Sequence, residues 1–190
     1  MDRSIIPWLL GALFATAVSA RAELQLIPSL QEFQGDGGKF KQLAFSDGDK
    51  TVTYQAPIGW DYSGDATQLI LHPPKKTQAE ATITRFPLSQ PGAFDDETLK
   101  KLVDQAVALV PKESQNVVII SQEKNPLLID RKETFLVVLS YNSFGQAYNR
   151  SILFLNRGNE QIRFQLVCRQ ADFKGLQRAF LGSQYTWQNL

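Results

Sequence analysis

Two runs in the second half of the chain, Phe135-Leu136-Val137-Val138-Leu139 and Ile152-Leu153-Phe154-Leu155, are apolar at every position. A strand with one wet face alternates apolar and polar side chains, whereas a strand that is apolar throughout needs cover on both faces. These runs therefore predict central strands of a sheet that is covered above and below. They lie within strands predicted at Glu133–Tyr141 and Ala147–Asn156, with further strands at Val117–Gln122 and Gln161–Cys168. The links Asn142-Ser143-Phe144-Gly145-Gln146 and Arg157-Gly158-Asn159-Glu160 are short hairpin connections, so the pairing is antiparallel. Ile162, Phe164, Leu166 and Cys168 alternate with Arg163 and Gln165, which gives the last strand one polar face.

The first half supplies four more strands. Phe40–Phe45 leads through Ser46-Asp47-Gly48-Asp49-Lys50 into Thr51–Ala56, and Asp-Gly between alternating runs signals a hairpin. The second of these strands runs into Pro57-Ile58-Gly59-Trp60. Pro57 has no N–H for the ladder and ends the pairing, Gly59 permits a turn, and Trp60 is delivered as a large apolar body just past the strand end. Tyr62–Ala66 reads as a loop, Thr67–His72 as a strand stopped by Pro73-Pro74, and Ala79–Phe86 as a strand with Ala81 and Ile83 inward and Thr82 and Thr84 outward.

Two helices complete the pattern. Asp95 is placed as an N-cap, with Asp96 and Glu97 where negative charge favours the helix start. Leu99, Leu102, Val103, Ala106, Val107 and Val110 then form one apolar stripe that Pro111 ends. The second helix starts near Asp172, carries Phe173, Leu176 and Phe180, and is predicted to end at Gly182, leaving Tyr185 and Trp187 as apolar mass. The fold class is α+β, a mostly antiparallel sheet of about seven or eight strands covered by two main helices.

The head of the chain reads separately. Arg3 precedes an apolar run from Ile5 to Val18, and Val18-Ser19-Ala20 or Ala20-Arg21-Ala22 offers a small-x-small cleavage site. The run is shorter than the about 20 apolar residues of a stable membrane span. Residues 1–22 are thus expected to be a signal peptide, 23–38 an N-terminal arm with the flexible linker Gly35-Asp36-Gly37-Gly38, and 39–190 a single domain. The predicted location is periplasmic or secreted, with no stable membrane span in the mature chain.

Charge and cysteine content narrow the possibilities. Lys and Arg number 20 against 19 Asp and Glu, and cleavage after Ala22 leaves 18 of each. No basic excess exists to track phosphates, so nucleic acid is not an expected partner. Cys168 is the single cysteine, so no intramolecular disulfide forms, and no cysteine near the cleavage site is available to carry lipid.

Tyr54-Gln55-Ala56-Pro57-Ile58-Gly59-Trp60 resembles the strand ending in Pro-x-Gly-Trp of the Mog/PsbP/DcrB-like fold group. Ile162-Arg163-Phe164-Gln165-Leu166-Val167, the helix from Asp172 and Ser183-Gln184-Tyr185 are similar to that group's closing stretch, and the resemblance spans Phe40 to Trp187. It implies a PsbP/Mog-like sandwich and a role in binding or assembly rather than catalysis. PsbP-type members assist photosystem II on the lumenal side, and DcrB-type members are bacterial envelope proteins, often lipoproteins. This chain lacks the lipid-bearing cysteine of the latter.

No reactive constellation stands against that implication. His72 is the only histidine, and no HExxH, CxxC, G-x-S-x-G or phosphate-loop pattern occurs. Cys168 reads as a small buried hydrophobe, Asp95-Asp96-Glu97 as helix capping, and Asp47-Gly48-Asp49 as a hairpin with too few oxygens following for calcium. Asn149-Arg150-Ser151 fits a glycosylation sequon but falls inside a strand. No catalytic, cofactor or metal residue is assigned, and Tyr54, Pro57, Gly59 and Trp60 are expected to be structural. The expected function is that of a non-catalytic envelope protein binding another protein or assisting assembly. The alternative is a carrier holding an apolar small molecule or lipid between sheet and helices.

Overall fold

The computed structural model describes residues 23–35 and 38–190; the predicted signal peptide, residues 1–22, and Asp36-Gly37 of the predicted linker lie outside them. The strands are β1 (Leu24–Gly35), β2 (Gly38–Asp47), β3 (Lys50–Tyr54), β4 (Asp61–Gly64), β5 (Gln68–His72), β6 (Glu80–Pro87), β7 (Gln115–Lys124), β8 (Thr134–Ser143), β9 (Gln146–Arg157), β10 (Glu160–Arg169) and β11 (Gln188–Asn189). The helices are α1 (Asp96–Ala108), between β6 and β7, and α2 (Gln170–Gln184), between β10 and β11.

The strands form two antiparallel sheets, with orders β4-β5-β6-β10-β9-β8-β7 and β1-β2-β3-β11. The seven-stranded sheet is the central layer. Along β8, Leu136 and Val138 turn toward one core while Phe135, Val137, Leu139 and Tyr141 turn toward another. In β9, Leu153 and Leu155 divide from Ile152 and Phe154 in the same way. This is why both runs are apolar at every position: each alternates between two dry interfaces. The first core is closed by the four-stranded sheet, α2 and Trp187; the second is closed by Leu102, Val103 and Ala106 of α1.

Several boundaries differ from the sequence reading. Residues 24–35 and 38 are strand rather than a separate arm: Leu24 and Leu26 are fully buried, and β1 pairs with β2 with Gly35 opposite Gly38. Tyr62–Ala66 is not wholly loop, because β4 pairs with β5; its four residues are all exposed, so no apolar alternation marks it. The second helix does not stop at Gly182. Ser183 and Gln184 are buried beneath its last turn, and Ser183 Oγ donates to the Phe180 carbonyl at 2.7 Å, holding that turn closed. Asp95 caps α1 as expected, accepting from Thr98 N at 2.8 Å, and the hydrogen bonds to its carboxylate hold it below the usual carboxylate range.

Candidate functional site

Three features position side chains in ways the packing of the core does not require. The first is the turn after β3. Trp60 N donates to the Pro57 carbonyl at 3.1 Å, and Gly59, third of the four turn residues, has φ +77°. That is the type II turn, whose third position excludes most side chains. The turn leaves Ile58 94% exposed at its tip and tucks Trp60 inward to 8%, stacked on Phe180 of α2 with ring centroids 6.1 Å apart. Tyr54 O–H donates to Ser183 Oγ at 2.7 Å, and Gln55 N donates to Thr186 Oγ1 at 2.8 Å, so the loop is tied to the end of α2. Burial pushes the Tyr54 phenol far above its ordinary value, which keeps it a donor.

Between this loop and α2 lies an open groove of about 410 Å³, lined by Pro57, Ile58, Trp60, Ala179, Gly182 and neighbours whose polar side chains are Gln55, Ser183 and Thr186. It contains no acid, base or thiol. The arrangement can hold apolar matter and offer a few hydrogen bonds; it has no proton to move near neutral pH.

The second feature is a cluster of ions where the two sheets meet. Arg157 at the end of β9 pairs with Asp47 at the end of β2 and lies 3.1 Å from Glu160 of β10, while Arg85 of β6 reaches Glu23 at 2.8 Å. Sequence reading missed it, because its members are far apart in the chain and meet only through strand register. Asp47, once weighed as part of a calcium loop, is instead held by a guanidinium.

The third feature is β7. It is the end strand of the seven-stranded sheet, and Val117, Val118, Ile119 and Ile120 are 40%, 54%, 39% and 52% exposed. Val107 and Leu109 at the end of α1 are also exposed, so part of the predicted stripe of that helix stays uncovered. Register shifts between Gln115 and Val118 and between Ile119 and Ser121 kink the strand, and Asn116 takes φ +53°. Bulges of this kind interrupt regular edge-to-edge stacking.

The other residues weighed from the sequence stand apart from these features. His72 is exposed at the end of β5, opposite Asp61. Cys168 is fully buried, and its thiol is pushed up to about 12 by burial with help from Asp172. Asn149, Arg150 and Ser151 are buried within β9. Among the described residues, no three of His, Cys, Asp and Glu come together as a metal-binding group.

No protein-family model and no curated protein matches the chain. Solved structures do. The solution structure of cyanobacterial PsbP (CyanoP) from Synechocystis sp. PCC 6803 is similar over 94% of this chain and 98% of its own, with a TM-score of 0.53 and 10% identity. The fold is PsbP-like. LpqN of Mycobacterium tuberculosis, a protein involved in cell envelope biogenesis, matches 85% of this chain and 91% of its own at a TM-score of 0.51 and 10% identity. A Pseudomonas aeruginosa protein of unknown function, PA94, matches 83% and 94% at 0.47 and 12%. At these identities the likeness concerns the PsbP-like fold alone, a fold that serves unrelated tasks. Among the described residues, no helix is long and apolar enough to cross a membrane.

Proposed function

We propose that the chain is an exported, non-catalytic envelope protein whose work is to bind another protein, and that the β7 edge is the surface it uses. The observation that carries this reading is the exposure of four consecutive aliphatic residues, Val117 to Ile120, on an end strand. An apolar run left in water costs free energy that a partner recovers by covering it. The apolar leader at residues 5–18 supports export, and the description of LpqN as an envelope biogenesis protein is in keeping with such a setting. The test is cross-linking and affinity capture from an envelope extract with the wild-type chain and with Val118→Lys/Ile120→Lys. Both side chains are about half exposed, so the variant is expected to melt as wild type does while losing a stoichiometric partner. Equal capture by both chains, or no partner at all, overturns the reading.

A second reading rests on the groove beside Trp60, whose lining and volume suit one apolar small molecule. Native mass spectrometry of the purified protein is its test: a bound mass that Gly182→Leu excludes favours it, and a bare chain removes it.

A further inference from the structure

The face of the seven-stranded sheet that packs on α1 extends beyond the helix. Phe154 and Ile152 of β9 belong to the core closed by α1. Arg163 and Gln165 of β10 stand opposite them in register, and Thr84 and Thr82 of β6 stand opposite those, so all four share that face. Gln68 and Ile70 of β5 continue the same two rows. Gln68, Ile70, Thr84, Arg163 and Gln165 are half-buried and lie outside the apolar core that α1 closes. One cation therefore stands on a shelf whose polar side chains are amides and hydroxyls, with no carboxylate in either row.

Arg163 is held in one pose. Its guanidinium lies over the Phe86 ring, 3.9 Å from the centroid. Nε donates to Gln161 Oε1 at 2.8 Å, and Nη2 donates to Gln105 Oε1 of α1 at 3.0 Å. Gln161 is itself fixed, because its Nε2 donates to Asn156 Oδ1 at 3.0 Å. Stacking uses the flat face of the guanidinium, and the two amide oxygens use the edge formed by Nε and Nη2. The other edge, Nη1 with the second N–H of Nη2, has the fork geometry that takes both oxygens of a carboxylate. None of the ion pairs among the described residues includes Arg163. Burial lowers its guanidinium below the ordinary value, and no carboxylate offsets that fall. Covering Phe86 needs only the stem and one face of the group. Two amides that fix the pose and leave a fork unpaired make a preorganised partner for an anion.

We propose that this shelf binds a small sugar acid, with its carboxylate on the fork of Arg163 and its hydroxyls on Thr84, Gln165 and Gln68. The one charge on the shelf selects the carboxylate. The neighbouring amides and hydroxyls each offer a donor and an acceptor, as sugar hydroxyls do. From β10 to β5 the shelf spans two strand spacings, about 10 Å, which suits one sugar ring rather than a long chain. The site is separate from the β7 edge and does not depend on the protein-binding reading.

Glucuronate is the probe, with glucose and acetate as controls, followed by backbone amide shifts in the isotope-labelled protein. Saturable shifts at Thr84, Arg163 and Gln165 with a Kd on the order of 1 mM are expected. Glucose lacks the charge and acetate lacks the hydroxyls, so each should bind about tenfold more weakly. Arg163→Lys keeps the charge but not the fork, and should weaken glucuronate about tenfold. Thr84→Val suits a strand, and should weaken glucuronate while leaving acetate unchanged. Absence of saturable shifts at these residues with about 100 mM glucuronate overturns the proposal, as do shifts confined to Arg85 and Arg157. Equal binding by Arg163→Lys overturns the role of the fork, and acetate binding as tightly as glucuronate overturns the role of the hydroxyls.

Discussion

Replacing Trp60 with alanine is expected to destabilise the fold, and by less than replacing Trp187. Removing a buried tryptophan typically costs about 3–5 kcal/mol, a transfer term plus a term for the space left behind. Trp187 is 1% exposed and packs against Phe45, Tyr54 and Phe164 at centroid distances of 5.7, 5.9 and 5.2 Å. Its loss leaves a dry void between the sheets, so the cost should reach the upper end, about 5 kcal/mol. Trp60 is also buried, yet it borders the open groove of about 410 Å³. Water can enter the vacated space, the void term falls, and about 3 kcal/mol remains, mostly the lost burial of the indole that stacks on Phe180. At about 2–4 °C per kcal/mol for a domain of this length, Trp60→Ala should melt about 6–12 °C below wild type and Trp187→Ala about 10–20 °C below. Pro57→Ala should cost only about 0.4–1 kcal/mol, through the freer unfolded chain, provided the turn closed by Gly59 persists. Thermal melting followed by circular dichroism, with urea unfolding as a check, measures all three. If Trp60→Ala melts with wild type, the indole does not hold the fold together, and if it melts below Trp187→Ala, water does not fill the space the indole leaves. Loss of a bound ligand without loss of stability would make it a recognition residue.

Two further outcomes follow from the buried groups near that turn and at the end of β10. Ser183→Ala leaves the Tyr54 phenol without its acceptor at a fully buried position and should cost about 1–3 kcal/mol; Tyr54→Phe, which leaves Ser183 Oγ still donating to Phe180, should cost about 0.5–1.5 kcal/mol. Urea midpoints at unchanged slope test that order, and the reverse order would show that the hydroxyl pair does not act as described. Cys168, buried and with its thiol pushed up to about 12, should resist a thiol reagent at pH 8 in the native protein and react along the global unfolding curve. Rapid reaction in the absence of denaturant would mean that the end of β10 opens by itself.

The strands and helices were largely legible in the residues because their signals are local. Two-residue alternation in Gln161–Cys168, the continuous apolar runs of β8 and β9, and the Asp95 cap each depend on neighbours a few positions away. The turn at Pro57–Trp60 was legible for the same reason, since proline and glycine act on their own backbone. Local period reports that a side chain turns inward; it does not say which layer waits there. Residues 23–38 read as an arm and linker, and only pairing with β2 makes Leu24 and Leu26 part of a second sheet. Val117 to Ile120 read as any other strand, and their exposure was decided by the sheet order, which put β7 at the end with no strand of the described residues beyond it. The Asp47–Arg157 pair spans 110 positions and exists because β2 ends where β9 ends. The residues alone determined which segments alternate, turn and cap. The tertiary structure decided which of them meet, because the register of distant strands is a property of the whole packed sheet and of no single segment within it.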